Sequence, residues 1–180
     1  MKLKSLASVA LASALVAGPA NANMLFDIYA GASAGLGRAT WFADGHDSFS
    51  SQSYGAMLGI NIPLVRGEVE YNYLTHDDAK LHLAMVNGYV KLPMPIVKPY
   101  LGAGMGMVFD GEFDDLSAER APAYQGMLGV TLALPIIPFD IDVEGRVLYA
   151  NHVFKTGDDT ANLLQYDARV KLRYVFSPTT

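Results

Sequence analysis

The sequence predicts an all-β chain, an eight-stranded antiparallel up-and-down transmembrane β-barrel. Three observations carry that reading. Apolar residues recur at every second position in eight separate segments. The connections between those segments alternate between short and long. Aromatic side chains gather at both ends of the apolar faces, while aliphatic and small residues fill the middle. The 180 residues carry a net charge of −5, are 51% hydrophobic and only 17% charged, and include no cysteine. An ordinary soluble domain has about 25% charged residues. Disorder needs low hydrophobicity and high net charge, so it is excluded. A pI near 5.2 without a basic cluster argues against nucleic acid as a partner. The missing cysteines exclude a disulfide scaffold, a thiol nucleophile and any Cys-ligated metal.

Residues 1–22 read as a cleaved signal peptide. Lys2 and Lys4 precede the apolar run Leu6–Ala17, Gly18-Pro19 breaks it, and Ala20-Asn21-Ala22 supplies small residues for cleavage before Asn23. The run is too short to span about 30 Å of hydrocarbon as a helix, and no later stretch is long and apolar enough to do so. Residues 23–176 form the barrel, and 177–180 a short C-terminal tail.

The strands follow in chain order. The first two, Phe26–Ala34 and Tyr54–Ile62, alternate apolar residues with Gly, Ser, Asn and Met. The third sets Val69, Tyr71 and Tyr73 against Arg66, Glu68, Glu70 and Asn72. In the fourth, Leu81–Leu92, both faces carry apolar residues; Val86, Val90 and Leu92 are assigned outward, and Asn87, Tyr89 and Lys91 inward. Leu101–Phe109 and Tyr124–Leu134 make the fifth and sixth. The seventh opposes Phe139, Ile141, Val143, Val147 and Tyr149 to Asp140, Asp142, Glu144 and Arg146. The eighth opposes Tyr166, Ala168, Val170, Leu172, Tyr174 and Phe176 to Asp167, Arg169, Lys171 and Arg173. Successive side chains of a strand point to opposite faces, so each segment separates two environments; a helix would smear both sets around its circumference. Short connections fall at Pro63-Leu64, Pro93–Pro95 and Pro135–Pro138, and longer polar loops are expected at about 38–53, 75–80, 110–121 and 151–162.

Alternation alone does not say which face is outside. A soluble lipocalin-like barrel would turn its apolar face inward. Aromatic placement decides: Tyr54, Tyr71, Tyr73, Phe109, Tyr124, Tyr149 and Tyr166 mark one end, and Phe26, Phe139, Tyr174 and Phe176 the other. Two belts around an aliphatic middle are the pattern of a lipid-facing surface. Mid-strand Ala30, Ala32, Ala56 and Ala103 would fill a soluble core poorly.

The C-terminal alternating strand ending at Phe176, the segment Pro99-Tyr100-Leu101-Gly102-Ala103-Gly104-Met105-Gly106 and the signal peptide together resemble the OmpA/OmpX-type small outer-membrane β-barrel family. The resemblance covers essentially the whole mature chain. It implies residence in a Gram-negative outer membrane and recognition of the last strand by the outer-membrane assembly machinery. Ser177–Thr180 follows the aromatic residue that normally ends such chains.

The inward faces hold Asp27, Glu68, Glu70, Asp140, Asp142, Glu144 and Asp167 against Arg66, Lys91, Lys98, Arg146, Arg169, Lys171 and Arg173. The balance is equal, so cross-strand pairing would neutralise a lumen only wide enough for its side chains. Inward Gly31, Gly55, Gly59, Gly102, Gly104 and Gly106 leave room for the long stems. A structural plug is therefore expected, with narrow-pore transport of small solutes as the alternative.

With the +2 of the signal peptide set aside, all net charge lies in the loops, where Asp44, Asp47, Asp77, Asp78, Asp110, Glu112, Asp114, Asp115, Glu119, Asp158 and Asp159 face only Arg38, Lys80, Arg120 and Lys155. Trp41, Phe42, Phe49, Phe113 and Phe154 punctuate them as candidate contacts for an extracellular ligand. Some barrels of this size modify lipid A with a loop histidine. Here His46, His76, His82 and His152 fall in or beside the loops, with Asp47 and Asp77 adjoining two of them. Polar loops carry such residues routinely, so no catalytic, metal or cofactor site is assigned. The expected role is structural or surface-interacting, with membrane lipid and lipopolysaccharide as surroundings.

Overall fold

The structure, a computed structural model, describes residues 26–176 apart from 44, 77–78, 114–115, 118–119, 135–136 and 157–158; for 41–49, 76–79, 111–119 and 152–161 it describes at most the backbone. The predicted signal peptide and C-terminal tail lie outside the described residues.

Eight long strands form the barrel: β1 (Asp27–Ala43), β2 (Gly45–Asn61), β3 (Val65–His76), β4 (Ala79–Lys91), β5 (Val97–Phe113), β6 (Ala121–Ala133), β7 (Phe139–Thr156) and β8 (Asp159–Phe176). A two-residue piece, Leu116–Ser117, folds back onto the end of β5. Each strand pairs antiparallel with its sequence neighbours, and β1 pairs with β8 from Ile28↔Phe176 to Phe42↔Asn162, which closes the sheet into a ring. Closure leaves no edge in the barrel wall, so every strand finds its ladder partners within the chain. The described residues form no helix.

The alternation read from the sequence is the alternation of the wall. Met127 is 2% exposed and its neighbour Leu128 67%. Val86, Val90 and Leu92 face outward, whereas Asn87, Tyr89 and Lys91 are buried inside. Because the pleat has period two, one anchored register fixes the facing of a whole strand.

The expected long loops are a correction. β1 and β2 stay in register up to Ala43↔Gly45, leaving residue 44 between them, and β3 and β4 pair up to His76↔Ala79. β7 and β8 continue to Thr156↔Asp159 beyond an irregularity between Ala150 and Phe154. The hairpins therefore run on as paired ribbon where irregular loops were expected. Continued antiparallel pairing satisfies the backbone amides of Ser, Thr and aromatic residues that suit extended structure. Above the apolar band neither face is buried against lipid, so the alternating hydrophobic signal fades while pairing persists. Phe42 pairs with both His46 and Asn162, so β7, β8, β1 and β2 extend together as a tall wall on one side.

Candidate functional site

The lumen is built in layers. Five cations, Arg66, Arg146, Arg169, Lys171 and Arg173, are buried there with five carboxylates, Glu68, Glu70, Asp142, Glu144 and Asp167. Neighbouring β7 and β8 supply the short-range pairs. Arg173 Nη2 lies 3.2 Å from Asp140 and 2.8 Å from Asp142, Lys171 Nζ lies 3.1 Å from Glu144, and Arg146 Nε donates to Asp167 at 3.1 Å. These follow from the strand register, which places Asp140 opposite Arg173 and Arg146 opposite Asp167.

Other pairs cross the lumen. Arg66 on β3 reaches Asp142 on β7 at 2.8 Å, although β3 and β7 stand on opposite sides of the eight-strand ring. Arg169 pairs with Glu70, and Lys171 Nζ lies 3.2 Å from Glu68. Three tyrosines complete the layer: Tyr29 and Tyr89 donate to Glu68 at 2.7 and 2.9 Å, and Tyr100 donates to Glu144 at 2.9 Å. The Arg66 guanidinium carbon lies 3.9 Å from the centre of the Tyr89 ring and 4.7 Å from that of Tyr100. The negative ring faces thus supplement its ion pair. Buried charges cost several kcal/mol each by desolvation, and the pairing offsets part of that, although Arg66 Nε and Nη2 and Arg173 Nη1 have no hydrogen-bond partner among the described residues.

Three predicted network members sit apart from this layer. Lys91 at the mouth donates to Asn61 rather than to a carboxylate, and Asp27 and Lys98 are half-buried near it. The sequence assigns Asn87 and Tyr89 inward without placing them in the network, and it does not single out Tyr29, Tyr100, Gln125 or Thr131. Gln125 donates to Asn87 at 2.6 Å, Asn87 to Glu70 at 2.9 Å, and Thr131 to Asp142 at 2.7 Å. Strand parity marks all of them as inward, but a neutral side chain carries no charge signal of its own.

Inward glycines make room for this filling. A Cβ on Gly59 would collide with the Tyr29 ring, and one on Gly102 with the Tyr89 ring.

Toward the acidic end the lumen changes character. Leu74, Leu81, Leu83, Met85, Val108, Leu148 and Leu163 point inward and pack with Ala39, Ala121, Ala123 and Ala150 as an apolar cluster, with the buried Gln165 opposite Leu148. The charged layer is thus followed by a mainly apolar one. The apolar residues on both faces of the fourth segment are thereby explained: Leu81, Leu83 and Met85 are its inward face above the charged stretch.

Outside, the wall is apolar and exposed. His82 lies on this outer face, where its Nδ1 meets the Tyr71 hydroxyl at 2.6 Å and its ring centre lies 4.9 Å from that of Tyr73. It belongs to an aromatic belt with Tyr71, Tyr73 and Phe109. A second group, Phe139, Tyr174 and Phe176, stacks edge-on at the opposite end. The side chains of His46, His76 and His152 and of Trp41, Phe42, Phe49, Phe113 and Phe154 lie outside the described residues; their backbones stand on the strand extensions.

A closed eight-stranded antiparallel barrel with a filled lumen and an apolar exterior is the fold of small outer-membrane β-barrel proteins. Neisserial surface protein A shares it: the two chains superpose with a TM-score of 0.65 at 21% identity, over 81% of this chain and 96% of that one. Ail, the attachment invasion locus protein of Yersinia pestis, aligns over 82% of this chain and 99% of its own at 13% identity and a TM-score of 0.46. No protein-family model matches the chain, and no curated protein matches it by sequence.

Proposed function

We propose that this chain is a non-enzymatic outer-membrane barrel whose plugged lumen makes a rigid anchor for hairpins displayed at the cell surface. One observation carries the reading: ion pairs across the lumen, Arg66–Asp142 and Lys171–Glu68, lie beneath a mainly apolar layer rich in leucine, inside a wall that is apolar outside. A solute path needs a wet, continuous lumen, and these side chains occupy the space it would need. An exposed apolar belt needs lipid. Export through the N-terminal segment and insertion by the assembly machinery through β8 are part of the proposal.

The test begins with an outer-membrane fraction run boiled and unboiled on a detergent gel. A folded barrel migrates differently from its boiled form. Equal migration, with the chain in the soluble periplasm, overturns the reading. In planar bilayers the purified barrel gives no discrete conductance steps; regular steps would establish narrow-pore transport instead.

The acidic, aromatic-bearing hairpins favour surface interaction over a purely structural role, with an extracellular partner that is basic. The fold shared with a neisserial surface protein supports that assignment. Adhesion that is unchanged in cells lacking the chain removes it.

A further inference from the structure

The two ends of the barrel are opposites in chemistry. At the tall end every strand-to-strand connection carries aspartate: Asp44, Asp77-Asp78, Asp114-Asp115 and Asp158. At the other end the three connections read Ile62-Pro63-Leu64, Leu92-Pro93-Met94-Pro95-Ile96 and Leu134-Pro135-Ile136-Ile137-Pro138. Not one of these residues has a polar side chain. Turns that face water are usually built from Gly, Asn, Asp and Ser. Leu64 is 55% exposed, Ile96 57% and Ile137 48%.

The backbone of these turns is equally unsuited to water. Five prolines remove five amide donors. Several remaining amides donate within the chain: Ile62 to Val65 at 2.9 Å, Met94 to Leu92 at 2.9 Å and Ile137 to Leu134 at 3.3 Å. The carbonyls of Leu64, Ile96 and Pro138 accept from Lys91, Ala133 and Val175 on adjoining strands at 2.8 to 2.9 Å. Turns that keep few amides free are suited to surroundings that offer few hydrogen bonds.

The span agrees. From Tyr124 to Leu134, from Tyr149 to Phe139 and from Tyr166 to Phe176 the outward face runs ten residues, which at ~3.3 Å per residue and ~40° tilt is ~25 Å. That is about the height of the apolar band of an outer-membrane barrel, so the band reaches the roots of the turns. The described turn residues continue it, with Ile60, Ile62 and Leu64 exposed at the first turn, Val90, Leu92, Met94 and Ile96 at the second, and Leu134 and Ile137 at the third. The nearby charges Arg66, Lys91, Lys98 and Asp140 all lie on inward positions.

We propose that the three proline-rich turns are seated in the membrane itself, at the headgroup–acyl boundary of the inner leaflet, so that the barrel presents no turn to the periplasm. This rests on the outer-membrane reading above, and the occupant is lipid rather than a periplasmic protein.

The absence of native cysteine makes the test direct. Leu64→Cys, Met94→Cys and Ile137→Cys are each spin-labelled in the full chain refolded into phosphatidylcholine vesicles, with Leu101→Cys and Val143→Cys as mid-band references and Ser50→Cys as the aqueous one. A gel-shift check confirms that each variant folds. The ratio of oxygen to aqueous nickel-chelate collisions at the turn positions is expected to exceed that at Ser50→Cys by about tenfold, as for groups buried 5–10 Å into the interface. Turn labels that read like Ser50→Cys while Leu101→Cys and Val143→Cys read as lipid overturn the proposal and leave the barrel reading intact. If the mid-band labels also read as water, the barrel reading fails, and this one with it. Turns that are wet in vesicles yet shielded from an impermeant thiol reagent in isolated outer membranes assign the surface to a periplasmic protein, which equally overturns lipid.

Discussion

Arg66 and Asp142 meet at 2.8 Å with both side chains buried, joining strands on opposite sides of the barrel. Nothing near them in sequence anticipates the pair, since 76 residues separate them. Asp142 also accepts from Arg173 Nε at 2.9 Å and from Thr131 at 2.7 Å, so one carboxylate ties three strands together.

Removing that carboxylate leaves Arg66 without its ion pair and Arg173 with Asp140 alone. Asp142→Ala is therefore expected to lower stability by about 3–5 kcal/mol, the cost of a broken buried pair. Arg66→Met should cost less, because Arg173 still serves Asp142. Urea unfolding in lipid or detergent, followed by tryptophan fluorescence and gel shift, ranks the two; an equal or reversed order contradicts the shared-carboxylate geometry.

Glycines on the two faces should behave oppositely. Gly59→Val and Gly102→Val drive a side chain into the Tyr29 and Tyr89 rings, and overpacking of that kind costs about 1–3 kcal/mol. Gly88 and Gly126 face outward with nothing within 4 Å of an added Cβ, so Gly88→Val and Gly126→Val should leave stability unchanged or raise it. The same unfolding curves make the comparison.

The mainly apolar layer above the charges is sensitive to cavities. Leu83→Ala and Leu148→Ala, both completely buried, should each cost about 2–5 kcal/mol. Neither is expected to open a conducting path, because the charged layer beneath still fills the lumen. Bilayer recordings on the variants check this; new conductance steps would assign the seal to the leucines alone.

On the outer wall a charge should be punished by lipid. Val143→Arg lies mid-band and should cost about 2–4 kcal/mol in a bilayer. The penalty should shrink for an arginine at Tyr166, near the band's edge. Refolding yield and unfolding midpoint in vesicles measure both, and equal penalties would contradict the assigned depth.

The paired extensions of the hairpins predict slow hydrogen exchange beyond the expected loop boundaries. Amides of Ala39 and Thr40, paired on both sides, should exchange at rates near those of mid-barrel residues, whereas irregular loops would exchange far faster. Exchange followed by mass spectrometry decides between paired ribbon and loop.

Much of this architecture is legible in the sequence because period two is a local property. Tyr166 to Phe176 declares its two faces without reference to any other strand, and the aromatic ends of those faces say which one meets lipid. Hairpin connectivity then follows from short turns such as Pro63-Leu64. From Gly45 to Ser51 polar residues interrupt the alternation, so the sequence reads as loop where the chain is strand.

Strand number and the facing of side chains within the apolar band are legible in the sequence alone, because each depends on parity along one strand. The tertiary structure decided which charge meets which. Closing the ring fixes the stagger between non-adjacent strands, and only that stagger brings Arg66 to Asp142 and Lys171 to Glu68. It also placed Leu83, Leu148 and Leu163, from three different strands, at one level as a seal. Contacts across a lumen depend on the diameter and shear of the whole barrel, and no single strand encodes those.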